Sequence, residues 1–204
     1  MANSQEKLFG KWHDVAMLFL GFGLTTLLGT CITSSWQEHA AERQSKANLI
    51  EAQRTQATAI YEDVSRLMDK RLYRWRLLFW AVERGDSLVS IARERAAYRE
   101  ALEEWNTSLN RNQAMLCRYF GFNAGNKFLQ VSNEFRTLQD GITAQLRAAR
   151  VDSTSLRLLD SQADALNREI FGFNNDLVEK VRTGTVGVAI PSDSINTKCG
   201  PLNG

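Results

Sequence analysis

For 22 residues, from Val15 to Trp36, the chain carries no charged side chain, and Asp14 and Glu38 close the run on either side. As a helix rising 1.5 Å per residue it reaches roughly 33 Å, enough to cross a hydrocarbon core about 30 Å thick with slight tilt. Trp12 and Trp36 stand one such length apart, where amphipathic rings settle into the two headgroup layers. An uncharged apolar run this long predicts a transmembrane helix. The apolar region of a cleaved secretory signal is shorter, about 7 to 15 residues. The expected order is a short tail at 1–14, a single span at 15–36 and a domain beyond it.

Within the run, Gly21, Thr25, Gly29 and Thr33 recur at four-residue spacing and share one helix face. Such stripes let backbones approach closely in lipid, which favours self-association or packing against other membrane subunits. Glycine and threonine are also common in membrane helices generally, so the stripe has a plain reading as well. Leu28-Gly29-Thr30-Cys31 resembles the lipobox of bacterial lipoproteins, whose cysteine is lipidated after cleavage. Thr30 departs from the motif's small residue, and the apolar run continues past Cys31, so an intact anchor is expected instead. Basic residues nearly balance across the span, with Lys7 and Lys11 facing Arg43, Lys46 and Arg54. Because long domains cross membranes largely regardless of charge, the expected placement is a bacterial inner membrane, N-terminus cytoplasmic and domain periplasmic.

Beyond the span the chain has room for one domain of ordinary size. The only prolines are Pro191 and Pro201, and the middle is rich in good helix formers, so the fold class is all-α. Ile50, Ala57, Ile60, Val64, Met68, Leu72, Trp75, Phe79 and Val82 follow helical spacing and predict a long helix over about 37–84, continuous with the anchor. Gly85 fits a C-terminal cap and Asp86 an N-cap, a stop and a start side by side. A second helix, 86–120, carries a heptad stripe of Leu88, Ile91, Arg95, Tyr98, Leu102, Trp105, Leu109, Asn112 and Leu116. Folding it back about Gly85 sets Tyr98 near Leu72, Leu102 near Met68 and Leu109 near Tyr61.

A third helix, 126–149, is marked by Phe128, Val131, Phe135, Leu138, Ile142 and Leu146. A fourth, 153–182, starts at Asp152-Ser153 and buries Leu156, Leu159, Ala163, Leu166, Ile170, Phe173 and Leu177. Four such stripes joined by short turns predict an up-down-up-down helical bundle of long antiparallel helices over 37–182. The tail, 183–204, reads as extended or loose from Thr185 to Pro191. In architecture alone the expected bundle resembles the four-helix ligand-binding domains of bacterial chemoreceptors. Those receptors carry a second span and a signalling module, which nothing after Val181 resembles. The four residues Phe120-Gly121-Phe122-Asn123 recur as Phe171-Gly172-Phe173-Asn174, which raises the question of a duplicated hairpin.

With 25 basic and 23 acidic residues the net charge is +2, so no global field points to nucleic acid. His13 and His39 fall on opposite sides of the span and cannot share a site. No paired Cys-x-x-Cys, phosphate-cradling glycine loop or nucleophile elbow occurs, so neither an enzyme, a metal, a cofactor nor a small-molecule substrate is expected. The hairpin register gathers Lys70, Arg71, Arg74, Arg76, Arg93, Arg95 and Arg99 at the end far from the span, with Arg95 opposite Trp75, where a guanidinium can stack. The cluster reads as a docking surface for an acidic segment or an anion. Its plain alternative is pairing with Glu83, Glu94, Glu100, Glu103 and Glu104.

Cys117 and Cys199 fall where the chain can bring them together as a disulfide, stable only in an oxidising compartment; the plain alternative, which weighs more on sequence alone, is two independent thiols. The expectation is a non-enzymatic scaffold, docking or accessory subunit of a membrane complex, contacting lipid and other subunits or itself. Its alternatives are a cytoplasm-facing recruiting module and a small-molecule sensor that signals through a partner.

Overall fold

The computed structural model describes residues 5–148 and 150–187, with side chains described from residue 36 onward except at 38. Among them are four helices and no strand: α1 (Gln5–Glu83), α2 (Leu88–Phe120), α3 (Phe122–Arg147) and α4 (Ser153–Thr183). The chain divides into two units, Met1–Leu49 and Ile50–Gly204.

In the first unit the described side chains are exposed, Trp36 at 76%. Among the described residues no helix is long and apolar enough to cross a membrane. The predicted span is therefore not supported by the structure. Trp12, the Gly21-Thr25-Gly29-Thr33 stripe and Cys31 lie outside the residues whose side chains are described.

The second unit is a helical bundle built on the C-terminal part of α1 and all of α2, α3 and α4. Its core joins Val64, Met68 and Trp75 of α1 to Trp105 and Leu116 of α2, Phe128, Phe135 and Leu138 of α3, and Leu166, Ile170 and Phe173 of α4. Trp75 is fully buried, stacks on Phe79 with ring centroids 5.2 Å apart, and donates from its indole nitrogen to the Leu138 carbonyl at 3.1 Å. Trp105 meets Phe128 and Phe135 at 5.1 and 5.3 Å. The hydrogen bond satisfies the Trp75 indole at the centre, whereas the Trp105 indole nitrogen is buried without a hydrogen-bond partner.

Polar pairs on the surface give the directions. Arg66 meets Glu104 and Arg111 meets Asp63, each at 2.8 Å, so α2 runs back along α1 in the register that folding about Gly85 predicts. Arg76 meets Asp164 at 2.6 Å, and Ser65 donates to Asn174 at 2.8 Å, so α4 also runs against α1. Lys127 pairs with Glu169 across α3 and α4.

The turns differ in detail from the expected ones. Gly85 adopts φ 67° and closes α1, as read, but Asp86 does not cap α2. Its N–H returns to the Ala81 carbonyl at 3.0 Å and its carboxylate pairs with Arg84. Ser87 is the N-cap, accepting from the Ser90 N–H. Between α2 and α3 there is no loop. Gly121, at φ 90°, ends one helix and starts the next, which therefore begins at Phe122 rather than near 126. Asn123, Gly125 and Asn126 are weak helix formers and hid this first turn from the sequence. Asp152 caps α4 as expected, accepting from Thr154 and Ser155 at 3.1 and 3.2 Å.

Three further expectations need correction. Ile50 is half exposed and Leu88 almost fully so; Leu88 is the first residue of α2, and Ile50 lies on α1 ahead of Gln53 and Ala57, where burial along that helix begins. The repeated four residues occupy unlike places, since Phe120 is buried at a helix end and Phe171 is 67% exposed within α4; the echo is not a structural repeat. The tail is not loose at its start: Gly184 caps α4 at φ 70°, and Val186, 4% exposed, joins the core. Residues 188–204 lie outside those described.

Candidate functional site

The seven basic residues expected to form one surface are sorted by the fold into three kinds. Lys70 and Arg76 lie in salt bridges with Glu104 (2.5 Å) and Asp164 (2.6 Å), and Arg93 pairs with Glu94 at 3.0 Å. Arg74 lies over the Tyr73 ring at 5.8 Å. These four are occupied on a solvated face, where such pairs contribute little net field. Glu94 and Glu104 from the expected set of partners are used; Asp164, which supplies the third, comes from α4 and was not foreseen.

Arg71 is of a different kind. It is 3% exposed, its guanidinium packed over the Trp105 and Phe135 rings with centroid distances of 5.0 and 4.6 Å. The stacked arginine is therefore Arg71, not Arg95, and its rings are not Trp75. Its Nη2 donates to Gln139 Oε1 at 3.4 Å, while Nε has no hydrogen-bond partner. No carboxylate pairs with it among the described residues. Burial holds its pKa below the ordinary arginine value, with the nearby Tyr98 oxygen pulling the other way and Arg136 adding to the depression. Two aromatic faces stabilise a desolvated guanidinium by about 2 kcal/mol or more, well short of the several kcal/mol that removing a lone charge from water costs.

The third kind, Arg95 and Arg99, is exposed, without an ion pair among the described residues, and lines a cavity of 160 Å³. Its other walls are Leu78 of α1, Tyr98 and Leu102 of α2, and Gln139, Ile142, Thr143 and Leu146 of α3. Tyr98 and Gln139 thus connect the cavity to Arg71 behind it. The Tyr98 hydroxyl is buried without a hydrogen-bond partner. Burial raises its pKa above the usual phenol value, so it remains a neutral O–H donor.

A second concavity of 310 Å³ opens between α3 and α4, lined by Glu134, Thr137, Leu138, Gln162, Ala165 and Glu169. Burial, and then the neighbouring Glu169 carboxyl, holds Glu134 above the usual carboxyl range. Lys127 already neutralises Glu169. Among the described residues no group of three or more His, Cys, Asp or Glu side chains is arranged to hold a metal.

At the opposite end from Gly85, Cys117 is disulfide-bonded, to a cysteine whose side chain is not among those described. Its Sγ is packed against α3 so closely that a Cβ on Gly125 would fall 2.2 Å from it. Lys180 of α4 donates to the Phe120 carbonyl at 2.7 Å, placing a cation on the C-terminus of α2 and joining the two helix ends beside the cysteine. Comparison of the chain with protein-family models, with characterised proteins and with solved structures finds no match.

Proposed function

We propose that the protein is a non-enzymatic accessory subunit of a membrane complex, anchored by Val15–Trp36 and holding its up-down-up-down bundle outside the cytoplasm of a bacterial inner membrane. The observation that carries the compartment is the disulfide at Cys117, because such bonds persist where the surroundings are oxidising. Its partner in this reading is Cys199. Only Cys31 and Cys199 remain to choose from, and Cys199 shares a unit with Cys117, in a tail that leaves α4 beside the end of α2. The uncharged length of the run and its tryptophan brackets support the anchor. The Gly21-Thr25-Gly29-Thr33 face would meet another membrane subunit or a second copy.

A cytoplasm-facing recruiting role has less behind it. The basic surface it requires is largely paired, through Lys70, Arg76 and Arg93. Purification of the full chain in mild detergent, without reductant, tests the proposal. Expected are membrane-protein companions or a second copy in the particle, and a Cys117–Cys199 peptide that separates on reduction. A lone monomer with free thiols would overturn it.

A further inference from the structure

We infer that the cavity between α1, α2 and α3 is a binding site for a small organic anion with an apolar body. The sign of the ligand follows from the groups around it. Arg95 and Arg99 line the space without an ion pair among the described residues, Tyr98 brings a buried hydroxyl with no acceptor, and Arg71 lies behind it with an unsatisfied Nε and no paired carboxylate among the described residues. Gln139 Oε1 is already committed to Arg71. Buried donors of native proteins find acceptors, and this site has donors in excess. A water molecule would satisfy the phenol but leave the Arg71 charge uncompensated, whereas an anion held by Tyr98 answers both. Asp140, exposed on α3, is the carboxylate whose field reaches Tyr98, and it acts against the anion from outside.

The shape and the remaining walls narrow the class. Leu78, Leu102 and Ile142 are aliphatic, so an inorganic ion would leave them facing empty space. A volume of 160 Å³ is close to the roughly 150 Å³ cavity that admits benzene. The fitting ligand is a monocyclic or short-chain carboxylate, its head towards Tyr98 and its body against the leucines. Charge-assisted hydrogen bonds from a phenol and two guanidinium groups then define orientation.

The inference is independent of the anchor and of the compartment, so its failure would leave those readings in place. The full chain in detergent micelles is titrated calorimetrically with benzoate, with its neutral isostere benzamide and with sulfate. Expected is saturable one-site binding of benzoate, with benzamide and sulfate at least about tenfold weaker. Tyr98→Phe, which removes only the hydroxyl, and Arg95→Ala with Arg99→Ala should each weaken benzoate by about tenfold, an equivalent of 1.4 kcal/mol. Arg111→Ala, at the far end of α2, should not. Undetectable benzoate binding, equal affinity for benzamide, or an unchanged affinity in Tyr98→Phe would overturn the inference.

Discussion

Arg71 stands on the apolar seam of α1. Val64, Met68, Arg71, Trp75, Leu78 and Val82 alternate spacings of four and three, and every one of them is buried. That heptad is a sequence signal, yet the neighbouring series through Leu72 and Phe79 is also apolar and draws attention away from it. Arginine at a seam position reads first as surface, because arginine is almost never buried without a partner. Arg95 errs in the opposite direction: it falls on the α2 stripe but is exposed, because the stripe near the start of α2 runs past its neighbours, as Leu88 shows. The lone charge at Arg71 is a liability for folding that a ligand would offset. Arg71→Met, similar in length and apolar, should leave the bundle as stable as the natural chain or up to about 4 kcal/mol more stable. Urea unfolding of both proteins gives the comparison; a clear loss of stability would show that the guanidinium is already well compensated.

At the scale of helices, the four stripes were legible because burial along a helix repeats every 3.6 residues and the sequence repeats with it. The buried face of α4 coincides residue for residue with the one read from the sequence; that of α3 adds Ala124 and Gly125 in the unforeseen first turn, and Leu146 is only half-buried. Turns were less legible. Their geometry depends on hydrogen bonds made after docking, so Asp86 reads as the cap of α2 although Ser87 serves. The close helix contacts were invisible in the sequence. Gly125 and Gly141 of α3 face Cys117 Sγ and the Leu159 side chain, where a Cβ would come within 2.2 and 2.3 Å.

Gly125→Ala should therefore destabilise the oxidised protein by about 1–3 kcal/mol through overpacking. In the reduced protein Cys117 is free to turn aside, and the deficit should vanish or reverse, since alanine favours a helix interior by about 1 kcal/mol over glycine. Thermal unfolding with and without reductant reads both states. Glu134 gives the pH counterpart. Its folded-state pKa is raised, so its contribution is present below the unfolded value and lost as pH rises through the folded one. Glu134→Gln, fixed in the neutral form, should gain in melting temperature relative to the natural chain as pH rises above the usual carboxyl range of about 4. A constant difference as pH rises would contradict the raised pKa of Glu134.

On the scale of the whole molecule, the chain combines an N-terminal unit through residue 49 with a bundle from residue 50. The sequence placed the start of the bundle near 37, because helix propensity and polar amphipathicity continue through that stretch. Burial begins later, at Gln53 and Ala57, where α1 first has helices to pack against. The site was legible only in part: basic residues were foreseen at the Gly85 end, but which were paired, buried or free depended on tertiary partners such as Asp164 and Gln139.

The central claim is that one uncharged helix holds this bundle on the oxidising side of a membrane. Protease added to intact spheroplasts tests it most directly, because the claim predicts that the bundle is digested while a membrane-embedded N-terminal fragment containing Val15–Trp36 survives. Full-length protein that remains protected until the membrane is opened, or that washes off the membrane in carbonate, would contradict it.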